Sequence, residues 1–185
     1  THPKFALPQL DDHVDMSKGA ISIGKYFTEM LDPSMTWDDV AEMVDLWGGQ
    51  YCLKGIMSAA DARRAVDIGC TGIVLSNHGG RQLDGSRAAF DQLGEIVDAV
   101  GGEIDVMMDG GVQRGTHVLK ALSMGAKAVG IGRGYLYPLA AAGQPGVERA
   151  LGLMKAEIER DMRLMGCRSV ADLSRDNLRF RTAQG

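Results

Sequence analysis

Cysteine, proline and aromatic side chains are all scarce in this chain. The three cysteines, Cys52, Cys70 and Cys167, form an odd set without a C-x-x-C pair. A disulfide framework or a zinc site therefore has no support, and the set reads as buried free thiols in a reducing compartment. No apolar stretch approaches the roughly 18 residues that a membrane-spanning helix needs. Lys and Arg occur in no run and no stripe interleaved with aromatics, and the formal net charge is −4. Nucleic acid is thus not an expected partner, while a local cationic pocket for a small anion stays compatible with the balance. The chain starts at Thr1-His2-Pro3, without Met and without a visible leader, and is read as a piece of something longer. Its 185 residues suffice for one domain with a core but fall short of the roughly 250 of a complete eight-stranded β/α barrel.

Glycine, by contrast, is abundant, with 25 residues, many of them just after apolar runs. That placement marks tight turns at strand ends. Residues 1 to about 36 are mixed in character and interrupted by Pro3, Pro8 and Pro33, and are expected to form a long surface loop with a short helical turn. The acidic stretch Asp11-Asp12-His13-Val14-Asp15 reads as a solvated loop in preference to a metal site. Thr36-Trp37-Asp38-Asp39 fits a capping box, and apolar residues at Val40, Met43, Val44 and Trp47 follow a helical period over 37–47. A strand is expected over 51–56. Ser58-Ala59-Ala60-Asp61 then caps a helix that Gly69 closes, and a strand follows over 72–76. Further helices are expected over about 87–100, 115–124 and 146–165, with strands over 105–108 and 128–131. Ile68-Gly69-Cys70-Thr71-Gly72-Ile73-Val74-Leu75 is echoed by Met124-Gly125-Ala126-Lys127-Ala128-Val129-Gly130-Ile131. The repeat unit is one strand and one helix. Four such units with parallel strands make half of a (β/α)8 barrel.

Each strand ends in polar or glycine-rich residues, and parallel strands bring all four tips to one face. Those tips are Lys54; Ser76-Asn77-His78 with Arg81; Asp109-Gly110-Gly111; and Gly132-Arg133. A histidine can move a proton near neutral pH, and an arginine can clamp a carboxylate through two parallel hydrogen bonds. His78 and Arg81 on one tip point to deprotonation of a small carboxylic acid. Lys54 alone reads as a strand-end lysine reaching solvent in preference to a cation beside a developing negative charge. Asp109-Gly110-Gly111 and Gly132-Arg133-Gly134 could each be simple turns, but at the ends of consecutive strands they suit a phosphate. A Ser-His-Asp hydrolase is disfavoured because Ser76 lacks the G-x-S-x-G elbow.

Several of these stretches, taken together, resemble the FMN-dependent α-hydroxy acid oxidases and dehydrogenases, including glycolate oxidase, flavin L-lactate dehydrogenase and mandelate dehydrogenase. They are Asp32-Pro33-Ser34-Met35-Thr36-Trp37, Leu53-Lys54-Gly55, Ser76 through Asp84, Asp109-Gly110-Gly111-Val112 and Gly132-Arg133. The stretch Asp45-Leu46-Trp47-Gly48-Gly49 and the long irregular start look most like the bacterial respiratory L-lactate dehydrogenase branch. The resemblance implies the C-terminal half of a TIM barrel, strands five to eight, over residues 32–185, with 1–31 an irregular segment.

It further implies that His78 takes a substrate proton as an L-2-hydroxy acid, with lactate the leading candidate, becomes a 2-oxo acid and FMN receives two electrons. Arg81 would hold the carboxylate, Lys54 would sit by the flavin N1–C2 carbonyl edge, Ser76 would contact the ring, and Asp109 the ribityl chain. Gly111 and its neighbours Gly110, Val112 and Gln113, with Gly132 and Arg133, would hold the phosphate. Gln113 stands where the family usually has arginine, so Arg114 is the substitute to examine. The resemblance also implies a homo-oligomer, a tetramer in the family, and pairing with an N-terminal half that completes the site. A cytoplasmic location is expected, with peripheral contact at the inner face of the cell membrane left open, as is the electron acceptor. The alternatives are a half-barrel that binds FMN or phosphate without turnover, and an FMN barrel acting on a different substrate such as a peptide.

Overall fold

A computed structural model describes residues 25, 26 and 28–180. The chain divides into two units, 1–40 and 41–185. In the first, residues 25, 26 and 28–30 are helical, and Asp32 Oδ1 accepts hydrogen bonds from Ser34 N and Oγ. The capping box is present: Asp39 Oδ2 accepts from Thr36 N and Oγ1, and Asp39 N donates to Thr36 Oγ1. It opens helix α1, Trp37–Trp47. Val40 and Val44 are buried, whereas Met43 and Trp47 on the expected apolar face are exposed. The acidic stretch 11–15 lies outside the described residues.

The second unit is a four-stranded parallel sheet in the order β1-β2-β3-β4. Its strands are β1 Cys52–Lys54, β2 Gly72–Leu75, β3 Asp105–Met108 and β4 Ala128–Val129. Helices α2 (Ala59–Asp67), α3 (Ala89–Val100) and α4 (Gly115–Met124) connect them, and α5 (Arg133–Leu164) follows. The expected order of elements is the observed one. β1 and β4 are shorter than the expected 51–56 and 128–131. The larger difference is α5, which begins at Arg133 rather than 146. Its backbone breaks at Ala142 and Gly143, so Pro145 falls in the first turn after the break. There its missing N–H costs no hydrogen bond.

Strand residues alternate in burial. Ile73, Leu75, Val106 and Met108 pack beneath Leu93, Ile96, Val100 and Leu119 of the helices and are almost wholly enclosed. Val74 and Met107 between them are only half-buried, and Cys52 and Lys54 are exposed. Helices thus cover one face of the sheet, and the other is uncovered among the described residues. This corrects the expectation for the thiols: Cys70 and Cys167 are buried and Cys52 is not, because Cys52 lies on the open face. On α5, Val147, Met154, Ile158 and Met162 form the half-buried stripe that their spacing predicts, while Leu151 and Met165 are exposed.

Candidate active site

All four strands run the same way, so their C-terminal ends share one rim. A cavity of about 780 Å³ opens there. Its wall includes all eleven residues singled out above: Lys54, Ser76, His78, Arg81, Asp109, Gly110, Gly111, Val112, Gln113, Gly132 and Arg133. Gly79, Gln82, Gly134, Leu136 and Tyr137 also line it. Leu136 and Tyr137 were missed because Pro138, Gly143 and Pro145 read as breakers and hid the first turns of α5.

The Lys54 ammonium does not simply reach solvent. It donates to Ser76 Oγ at 2.7 Å and pairs with Asp109 Oδ2 at 3.1 Å, joining the tips of β1, β2 and β3. Ser76 is 1% exposed and its Oγ also accepts from His78 N at 3.2 Å. The next residue, Asn77, bends the chain: its Oδ1 accepts from Gly79 N at 3.1 Å and its Nδ2 donates to Arg87 O at 3.3 Å.

This turn places His78 at φ +54°, in the left-handed region that non-glycine residues rarely occupy. The imidazole lies over Gly55, where an added Cβ would stand 3.2 Å from His78 Nε2. Arg133 Nη2 reaches across the cavity and donates to Gly79 O at 2.8 Å. Gly79 itself sits at φ +70°, and a Cβ there would press on that same nitrogen at 3.0 Å.

Among the described residues Arg81 has no hydrogen bond or ion pair, and Arg133 has no ion pair with a carboxylate. Lys54, Arg81 and Arg133 together outnumber the single carboxylate, Asp109, so the cavity carries two net positive charges within a chain of net charge −4. It is built for anions. Backbone N–H groups at Gly110 and Gly111 add to this: both glycines have positive φ, and a Cβ at Gly111 or Gly132 would meet nothing within 4 Å. That open space over glycine backbone, beside an arginine without a carboxylate, fits a phosphate group.

Arg114 is turned away from the cavity. Its guanidinium forks onto Glu157 of α5, with Nε at 2.9 and 3.2 Å from the two carboxylate oxygens and Nη2 also bonded. The substitute considered for the arginine absent at Gln113 is thus paired with Glu157 in this structure. Among the described residues no group of three or more His, Cys, Asp or Glu could hold a metal, and no helix is long and apolar enough to cross a membrane.

The family model described as FMN-dependent dehydrogenase matches residues 1–180. An L-lactate oxidase of Nostoc sp. is 45% identical over 161 residues, covering 87% of this chain and 44% of that protein. A pre-mycofactocin synthase of Mycobacterium tuberculosis is 47% identical over 145 residues, covering 78% of this chain and 37% of the relative. Among solved structures, the monotopic membrane protein (S)-mandelate dehydrogenase superposes with a TM-score of 0.82 at 37% identity, covering 91% of this chain and 45% of that one. The chain spans less than half the length of each of these proteins.

Proposed function

The chain belongs to the FMN-dependent dehydrogenase family, and from that premise we propose that it supplies half of a barrel oxidising an L-2-hydroxy acid, lactate first, to the 2-oxo acid. Its four βα units form the C-terminal half of a TIM barrel, and FMN is the cofactor of the family. When bound, FMN supplies the acceptor for the two electrons that the hydroxy acid loses.

The protein's own residues do the rest. Arg81, the uncommitted guanidinium on the His78 loop, binds the substrate carboxylate. His78, held over Gly55 by its turn, takes a substrate proton at its ring nitrogen. Lys54, fixed by Ser76 and Asp109, holds positive charge beside the flavin edge that becomes electron-rich. Gly110, Gly111, Val112, Gln113, Gly132 and Arg133 form the phosphate end. The observation that carries this reading is the convergence of a base, a free carboxylate clamp and a glycine-and-arginine cradle on one cavity of net charge +2.

An N-terminal half is the partner that would cover the open sheet face and complete the site. Assembly into a homo-oligomer, a tetramer by resemblance, and a cytoplasmic location with peripheral membrane contact belong to the same proposal. The test is Arg81→Met in the flavoprotein that carries this chain, assayed by substrate-driven reduction of a dye. KM for lactate should rise by at least about a hundredfold, the loss of a bidentate charged contact. Unchanged KM would remove Arg81 as the clamp. Retained turnover of a peptide by the same variant would favour the second reading, an FMN barrel acting on a different substrate such as a peptide.

A further inference from the structure

The loop from β3 to α4 is short, and both its ends are tied down. Upstream, Asp109 N donates to Leu75 O at 3.0 Å and the Asp109 carboxylate pairs with Lys54. Downstream, Gln113 N donates to His117 Nδ1 at 3.3 Å, and Gly115 N donates to Glu157 Oε2 at 2.6 Å.

The last contact is unusual in origin. The first N–H groups of a helix lack intrahelical partners and are ordinarily met by a Ser, Thr, Asp or Asn at the N-cap. The N-cap of α4 is Arg114, in extended backbone (φ −136°, ψ 152°), whose side chain has no acceptor to offer. Glu157, 42 residues downstream on α5, takes that place and receives the Arg114 guanidinium as well.

Glu157 is also the only buried carboxylate among the described residues, at 9% exposure. Helix backbones touch at this point: a Cβ on Gly115 would stand 2.8 Å from Ile158 N and 2.9 Å from Met154 O. The positive end of α4 is therefore already satisfied by a protein carboxylate, and Arg114 is committed to it. Phosphate is left with the Gly110–Val112 backbone and with Arg133 at the start of α5.

We propose that Glu157 is a positioning residue for the cofactor phosphate: by holding Arg114 and the first turn of α4 against α5, it fixes the Gly110–Val112 loop without touching the ligand. This rests on the reading that FMN binds in the cavity. It places an element of cofactor affinity on α5, in a neighbouring pocket that Arg114 and Glu157 share with Gln113 and Arg133.

The test uses the flavin-stripped protein and compares its affinity for FMN with that for riboflavin, which lacks the phosphate, by quenching of flavin fluorescence. Glu157→Ala should weaken FMN about tenfold, or ~1.4 kcal/mol, and leave riboflavin within about twofold. Glu157→Gln keeps an acceptor for Gly115 N and should fall between the two. Arg114→Met, which keeps the Glu157–Gly115 bond, should cost FMN less than Arg133→Met does, and it serves if Glu157→Ala does not fold.

Equal loss of both flavins, or no loss of either, overturns the proposal. So does a gain in FMN affinity in Glu157→Gln, because a released Arg114 would then be acting as a phosphate ligand. If the unaltered protein binds riboflavin as tightly as FMN, the phosphate cradle itself is misassigned and the functional reading fails instead.

Discussion

Replacing Ser76 with alanine removes one oxygen atom from the most enclosed point of the cavity wall. Ser76 Oγ accepts from Lys54 Nζ at 2.7 Å and from His78 N at 3.2 Å, and the residue is 1% exposed. An enclosed donor that loses its acceptor costs about 1–3 kcal/mol. The Lys54 share is the smaller one, because its side chain is half-exposed and keeps Asp109 at 3.1 Å. The His78 N–H carries the larger share, but His78 is exposed and the bond only part-buried, so stability should fall by about 0.5–1 kcal/mol in urea unfolding. The functional loss comes from the same bond. His78 is held at φ +54° by a turn built from its own N–H to Ser76, the Gly79 N–H to Asn77 and the Arg133 bond to Gly79 O. With the first bond gone, the imidazole is freed to relax towards ordinary backbone geometry and away from its place over Gly55. A displacement of about 1 Å at a reacting group can cost up to ~100-fold in rate, and a partly retained turn about tenfold. In steady-state dye reduction kcat should therefore drop about tenfold while KM for the hydroxy acid barely moves, since Arg81 is untouched. Wild-type urea stability together with kcat within about twofold would refute the view that this hydroxyl holds the turn.

Gly55→Ala should act on the same imidazole from the other side: φ is +102° and the new Cβ would stand 3.2 Å from His78 Nε2, so kcat should fall with FMN affinity retained, at a stability cost of about 1–2 kcal/mol. Equilibrium flavin binding beside turnover separates those two effects. Gly115→Ala should drive α4 and α5 apart, because its Cβ would lie within 3.0 Å of backbone atoms of α5 that cannot rotate away. A loss of about 1–3 kcal/mol in thermal unfolding is expected, and an unchanged midpoint would contradict the close approach. The Arg114 guanidinium and the Gly115 N–H hold the Glu157 carboxyl down at about 2, against an ordinary value of 4.5. Because the unfolded chain binds that proton more readily, the contribution is complete above pH 4.5 and is lost as pH falls towards 2. Glu157→Gln should flatten that part of the acid unfolding curve, and identical acid limbs in the two proteins would refute the assignment.

The βα order was legible because the helices announced themselves by an apolar period and a closing glycine, and α1 and α2 by a cap as well. Helix α4 occupies the expected residues 115–124 and ends at Gly125 in the left-handed region. The start of α5 was only half legible: Gly143 and Pro145 mark a real break in its backbone, and what they hid is the helical stretch before it, from Arg133, which runs through Pro138. The cavity lining was legible for a geometric reason: parallel strands bring every tip to one rim, so a list of strand ends is also a list of cavity residues. Pairings across the rim and behind it were not. Arg133 with Gly79, and Arg114 with Glu157, join positions 54 and 43 residues apart, and no local pattern encodes them. Arg114 shows this most plainly: adjacency to the glycine loop says nothing of Glu157, the partner that holds its guanidinium.

One mismatch between sequence and structure bears on the proposed N-terminal half. Gly72-Ile73-Val74-Leu75 is apolar without alternation, the signature of a parallel strand buried on both faces. Yet only Ile73 and Leu75 have helices over them, while Val74 and Met107 are half-buried and Cys52 is exposed on a face that nothing described covers. An apolar residue left half in water forfeits part of the roughly 1.5–3 kcal/mol that complete burial of such a side chain yields. In a closed barrel those positions are the interior layers, filled by side chains from the remaining strands. The strand composition therefore matches a sheet closed by further strands better than it matches the four strands alone. The same closure would bring new walls to the open side of the His78 and Arg81 loop. Substrate choice and electron acceptor would then depend on residues facing that loop from across the barrel, while the proposed base, carboxylate clamp and phosphate cradle all lie on the half described.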